Sequence, residues 1–184
     1  EFRRVLFRSN ANQLKEEFLR ANLAGILGKE LGVAAQMRDL EQTFICAMFH
    51  NLGRLLSQYY FPEESDEIRR VMGQKGFAED VAAAQILGVS FEELGTEIAR
   101  QWGFPPLIVN SMRRLPDGQL RKSGSSEERQ RAVAGIANEL CLTMTQPGPE
   151  SRQRAVHKVL SRYAAAVPVS EREAIACMQR SVEE

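Results

Sequence analysis

Phe44-Ile-Cys-Ala-Met-Phe-His-Asn-Leu-Gly-Arg-Leu-Leu-Ser-Gln-Tyr-Tyr60 is the stretch on which the fold turns. Ile45, Met48, Leu52, Leu55, Leu56 and Tyr59 recur at spacings of three and four. That period predicts one amphipathic helix ending near Tyr60, with these side chains in a core. One turn off this face lie Cys46, His50 and Gly53, with Asn51 beside His50. A polar pair followed by a small residue, inside a mostly apolar helix, is the most unusual local feature of the chain.

Outward from this helix, punctuation residues mark further helices. Asp39, with Gln42 three residues on, is a loose capping box that starts the central helix. Before it, Leu14, Phe18, Leu19, Leu23, Ile26, Leu27 and Leu31 form an apolar stripe from about Asn12, and Gly32 is a C-terminal cap candidate. Phe61-Pro62 stops the central helix, and Pro62 suits the first turn of a charged helix that Gly73 and Gly76 end. Gly88 closes a small-residue helix over 78–87. Ser90 and Glu93 form a capping box for a helix from about Phe91 to Trp102. Gly95 inside that helix points to a close crossing, and Trp102 is expected to anchor the core. Pro105-Pro106 restarts a helix, and 116–126 reads as a polar, mobile loop. Three helices follow, over about 127–145, 150–166 and from Ser170. No alternating segment is long enough for a strand, so the expected class is all-α, with about eight helices.

The 184 residues suffice for one all-helical domain with a real core, or for two small helical lobes. The 24 basic residues balance 24 acidic ones, which leaves no electrostatic drive toward nucleic acid or a membrane surface. The Arg113-Arg114 and Arg121-Lys122 pairs read as a solvated face. Cys46, Cys141 and Cys177 are odd in number and widely spaced, which suits reduced buried thiols and a cytoplasmic setting. No apolar run reaches bilayer length. Residues 1–9 lack an initiator Met, and Arg4–Ser9 resembles read-through of a sequencing adapter, so this segment is expected to be foreign. The chain is expected to be the downstream part of a longer protein.

Candidate chemistry is sparse. A His-Asp pair can help to hold a metal for hydrolysis, but Asn51 is neutral and cannot balance a divalent charge. The other histidine, His157, is more than a hundred residues away. Asp39, Asp66, Asp80 and Asp117 sit at helix starts, on charged faces or in the loop. Cys46 lies one turn before His50, yet nothing is placed to orient the imidazole, and a core-facing thiol is ordinarily inert. The expected catalytic, cofactor and metal sets are therefore empty, with His50 and Asn51 as remnant positions.

Phe49-His-Asn-Leu-Gly-Arg-Leu-Leu56 resembles the "LLHDiGkLll" block of HD-superfamily proteins. Leu87-Gly-Val-Ser-Phe-Glu-Glu-Leu-Gly95, followed by Trp102-Gly-Phe-Pro105, is similar to the "lGvsHaevGa.la..W.lP" block of HDOD domains, the bacterial output-type branch. Phe18-Leu-Arg-Ala-Asn-Leu-Ala24 falls where that family often has "lW.hS". The resemblance spans about Phe18 to Leu115 and implies a multi-helix HDOD bundle, with Gly53, Gly95, Trp102 and Pro105 as its structural signature. It further implies an HDOD core over 10–116, the loop over 117–126 and a C-terminal helical extension over 127–184. The resemblance also implies an N-terminal helical lobe ahead of the Phe18 helix, which is expected to lie in the upstream part of the longer protein. At the family's ligand positions this chain has Ala21, Asn51, Phe91 and Arg113-Arg114, so the resemblance implies a scaffold that has lost its metal site.

The expected function is a non-catalytic signalling module of a larger bacterial protein, without cofactor, acting through contacts with sensor, receiver, kinase or diguanylate-cyclase domains or proteins. No nucleic acid or membrane is expected as a partner. Two alternatives stand beside it: a divergent metal-dependent phosphohydrolase or phosphodiesterase using His50, and a nucleotide-binding module without catalysis.

Overall fold

Side-chain caps start several of the helices. In the computed structural model, Asp39 Oδ1 accepts from Gln42 N at 2.9 Å. Ser90 and Glu93 close a reciprocal capping box, and Ser170 and Glu173 make the same exchange. Gly76 and Gly88 end their helices in the left-handed conformation, where a side chain would be strained. The structure describes the backbone of residues 2–183 and the side chains of residues 10–183. The side chains of the expected foreign segment 1–9 thus lie outside the described residues.

Ten helices form where about eight were expected, and no strand occurs among the described residues. They are α1 (Phe2–Ala34), α2 (Leu40–Phe49), α3 (Leu52–Tyr60), α4 (Pro62–Lys75), α5 (Glu79–Leu87), α6 (Phe91–Gln101), α7 (Pro106–Ser111), α8 (Ser126–Thr143), α9 (Pro149–Tyr163) and α10 (Glu171–Glu183). No helix of the described residues is long and apolar enough to cross a membrane.

The central stretch is two helices, which corrects the single helix expected from its periodicity. The break falls at His50-Asn51, where Asn51 takes φ −107° and ψ 32° and α3 begins beyond it. Asparagine is a weak helix former, so the break falls where local propensity resists it least. The buried face also differs. Cys46 and Ala47 are fully buried and Gly53 is buried, whereas Tyr59 is 58% exposed. Small residues win because they let helices approach closely.

The chain divides into two units. The first comprises Glu1–Leu19 and Asn51–Pro105. Here α3 packs on α4 and α6, and α4 packs on α5. Ile68, Val71, Ala82, Ala83 and Phe91 form its apolar cluster, and the Ser57 and Ser65 hydroxyls pair at 2.8 Å in the buried α3–α4 contact. Phe18 and Leu19, expected in the core stripe, are exposed; the buried positions of α1 begin at Ala24, in the second unit. Gly73, read as a helix end, lies inside α4 with open space around it.

Trp102 is not a core anchor: it is 53% exposed. Its block is a helix stop. Gly103 takes φ +75°, its N–H donates to Arg100 O, and Phe104 N donates to Ala99 O, both at 3.0 Å. These are the paired bonds of a Schellman motif, with Pro105 just beyond it. The Trp102 and Phe104 rings meet at 6.1 Å between centroids.

The second unit, Arg20–His50 and Pro106–Glu184, is built on α8, against which α2, α7 and α9 pack. From Ala132 to Asn138 every residue of α8 is buried, as a helix covered on all sides requires. Asn138 Nδ2 donates to Ala47 O and Ala134 O, both at 2.8 Å, so its buried amide is satisfied. Tyr163 is fully buried and donates to Glu139 Oε1 at 2.7 Å; burial, with the Glu139 carboxylate, pushes its phenol well up. The 116–126 loop, expected to be mobile, is tied down. Leu120 is buried and its N–H donates to Arg162 O at 2.9 Å, while the Arg162 guanidinium donates to Pro116 O and Gly118 O.

Candidate functional site

His50 follows the last residue of α2, at the point where the chain leaves the second unit. Its Nδ1 lies 2.8 Å from the backbone oxygen of Ser111, at the end of α7. A carbonyl only accepts, so Nδ1 carries the proton and a neutral ring leaves Nε2 proton-free. This bond fixes the ring.

Cys46, one turn earlier, is fully buried. Burial pushes its thiol up, partly offset by the polar side chains of Ser111 and Gln130 beside it. Cys141 is likewise buried, with its thiol pushed up to about 12 by burial, and burial raises Cys177 as well. None of the three has the low-pKa environment of a nucleophile.

In the first unit, Asn51 precedes α3 and its side chain does not cap that helix. Gly53 and Gly95 sit where α3 and α6 cross. A Cβ on Gly53 would lie 1.8 Å from Phe91 O and 3.0 Å from Gly95 N. A Cβ on Gly95 would meet Gly53 N at 2.7 Å. Backbone therefore touches backbone, and neither position has room for alanine.

Next in sequence, Arg54 has a side chain only 15% exposed. It donates from Nε to Glu17 Oε2 at 3.0 Å and from Nη1 to Glu79 Oε1 at 3.3 Å. Burial alone would pull its pKa down; the charges of Glu79 and Glu17 outweigh that, and the net direction is up. Motif spacing does not single out this triad. The available signal is an arginine between Gly53 and Leu55 on a segment with a buried face.

The other positions of interest are dispersed. Phe91, where the family has a histidine, belongs to the apolar cluster of the first unit. Ala21 offers only a methyl group. Arg113 and Arg114 are exposed, Arg114 pairing with Asp117 at 2.9 Å. His157 is largely exposed, with Nδ1 at 3.5 Å from Glu171 Oε2. Of the aspartates, Asp39 caps α2, Asp66 pairs with Arg69 and Asp80 lies in the first turn of α5. No three His, Cys, Asp or Glu side chains among the described residues are grouped to hold a metal ion.

An imidazole fixed through Nδ1 by a backbone carbonyl is how a ligating or basic histidine is ordinarily held. The other positions that the motif resemblance marks are an amide at Asn51, a phenyl ring at Phe91 and a methyl group at Ala21, none of which supplies charge to a divalent cation. The residues present do not fit the divalent metal of HD-type hydrolysis.

Comparison with known proteins agrees with the motifs. The family model of the HDOD domain matches residues 3–116. An uncharacterised protein of Treponema pallidum (strain Nichols) is 25% identical over 87 residues, which are 47% of this chain and 16% of that protein. The chain thus spans only a small part of the length of that relative. Among solved structures, a candidate phosphohydrolase of Shewanella amazonensis SB2B superposes with a TM-score of 0.64 at 15% identity, covering 92% of this chain and 60% of that one. An HDOD domain protein of unknown function from Geobacter sulfurreducens gives a TM-score of 0.62 at 15% identity, covering 91% and 59%. At such identity these likenesses concern the fold alone.

Proposed function

The chain belongs to the HDOD family of the HD superfamily, and we propose that it is a non-catalytic regulatory module that passes signals through protein contacts. The observation that carries the reading is the His50-Asn51 turn. The imidazole is held by Ser111 O, but its neighbour is a neutral amide, which supplies no charge to a divalent ion. Phe91 in an apolar cluster supports the same reading, since a ligand position there has become core. The Gly53–Gly95 crossing and the Trp102–Pro105 helix stop keep the scaffold. Partners on this reading are other signalling domains or proteins of sensor, receiver, kinase or diguanylate-cyclase type in a bacterial cell.

One observation favours a second reading, a divergent metal-dependent phosphohydrolase. Ser111 O holds His50 through Nδ1, the geometry in which a ligating or basic histidine is ordinarily fixed, and the Shewanella neighbour is described as a candidate phosphohydrolase.

Metal analysis of the purified protein separates the two. The non-catalytic reading expects far less than stoichiometric iron and manganese, unchanged by His50→Ala. One equivalent of either metal, lost in His50→Ala, would favour the hydrolase.

A further inference from the structure

The basic residues around 113–122 are exposed, as the solvated face read in sequence requires, and Arg113, Arg121 and Lys122 also line two adjoining cavities of the second unit. The 115–124 segment and α8 border a half-open space of about 700 Å³ lined by Arg121, Lys122 and Arg131. A smaller one of about 360 Å³, lined by Arg113 and again by Arg131, adjoins it. Arg131 and Glu128 are common to both.

The charge balance favours an anion. Arg113, Arg121, Lys122 and Arg131 face Asp117, Glu127 and Glu128. Each of these carboxylates is already engaged. Asp117 pairs with Arg114 at 2.9 Å, Glu127 accepts from Asn110 Nδ2 at 2.5 Å, and Glu128 accepts from Gly124 N at 2.5 Å. Arg131 differs: its Nε is buried without an acceptor. A buried guanidinium N–H with no acceptor is costly, and phosphate is the acceptor that matches the guanidinium fork.

Size and lining narrow the ligand class. About 700 Å³ lies within the usual range for small-molecule sites and far exceeds a bare phosphate. Leu115, Leu120 and Ala132 contribute apolar surface. Arg162 binds the Pro116 and Gly118 carbonyls, so the wall exists before any ligand arrives.

We propose that this cavity binds a phosphorylated small molecule with an apolar or aromatic body, the phosphate against Arg131 and the body over Leu115 and Leu120. The site is separate from His50 and does not rest on the signalling proposal, so either can fail while the other stands.

The test is titration of the full chain at physiological ionic strength, by calorimetry and thermal midpoint, with AMP, ribose 5-phosphate, adenosine and inorganic phosphate. A saturable response to AMP or ribose 5-phosphate, stronger than to phosphate or adenosine, is expected; which of the two binds tighter identifies the body. Arg131→Gln should weaken it about tenfold or more and leave the unliganded midpoint equal or higher, because a buried orphan donor is removed. Arg113→Gln with Lys122→Gln, on the rim, should weaken it as well, and serves if Arg131→Gln fails to fold. Arg100→Gln, an exposed position in the other unit, should leave it unchanged. No saturable response to either phosphorylated compound, binding of inorganic phosphate as tight as both, or affinities unaltered in both basic-site variants would overturn the proposal.

Discussion

Gly53→Ala is expected to lower the thermal midpoint by roughly 6–12 °C. The added methyl would lie 1.8 Å from Phe91 O and 2.7 Å from Phe91 C, both backbone atoms of α6. No rotamer change can clear it, so α3 and α6 must separate. Overpacking ordinarily costs about 1–3 kcal/mol, and a clash against main chain belongs at the upper end, about 3 kcal/mol. The control is Gly73→Ala. Gly73 lies inside α4 with nothing within 4 Å of a built Cβ, so alanine there should stabilise by about 0.5–1 kcal/mol through helix propensity and reduced unfolded-state entropy. Urea unfolding of the two variants should move the midpoint in opposite directions. Equal effects would mean that the α3–α6 crossing is looser than the structure has it.

Arg54→Met should cost about 2–3 kcal/mol, again read by urea unfolding. Methionine keeps the apolar stem and removes the charge. The side chain of Glu17 is 13% exposed and loses the Arg54 cation in that variant. Breaking a buried pair from one side costs about 3–5 kcal/mol; the value here is lower because Glu79 is 37% exposed and more of its charge is solvated. The double variant with Glu17→Met should lose less than the sum of the two single variants, because both remove the same ion pair. A double variant that falls as far as the sum of the two singles would show that Arg54 and Glu17 are not coupled.

The helix ends were legible in the sequence because their chemistry is local. Asp39, Ser90 and Ser170 each bond a residue three positions on, and Gly76 and Gly88 turn the chain where they stand. The contact that fixes His50 was not legible, since its acceptor lies 61 residues away. Nor was the Arg54 network, whose partners are 37 and 25 residues distant. Trp102 misled for a different reason. A single tryptophan suggests a core, yet here the local Gly103 stop sets the conformation and leaves the ring half in solvent. For the candidate site, the residue types at 50, 51 and 91 were readable, while the cluster that absorbs Phe91 required the fold.

The central claim is that the fold persists without the chemistry of its superfamily. Its most direct test is turnover of cyclic dinucleotides and nucleoside phosphates by the purified protein with added manganese or iron(II), beside His50→Ala. The account predicts equal, background rates for both proteins. Robust hydrolysis by the native chain, abolished in a His50→Ala variant that keeps its helical content and thermal midpoint, would contradict it.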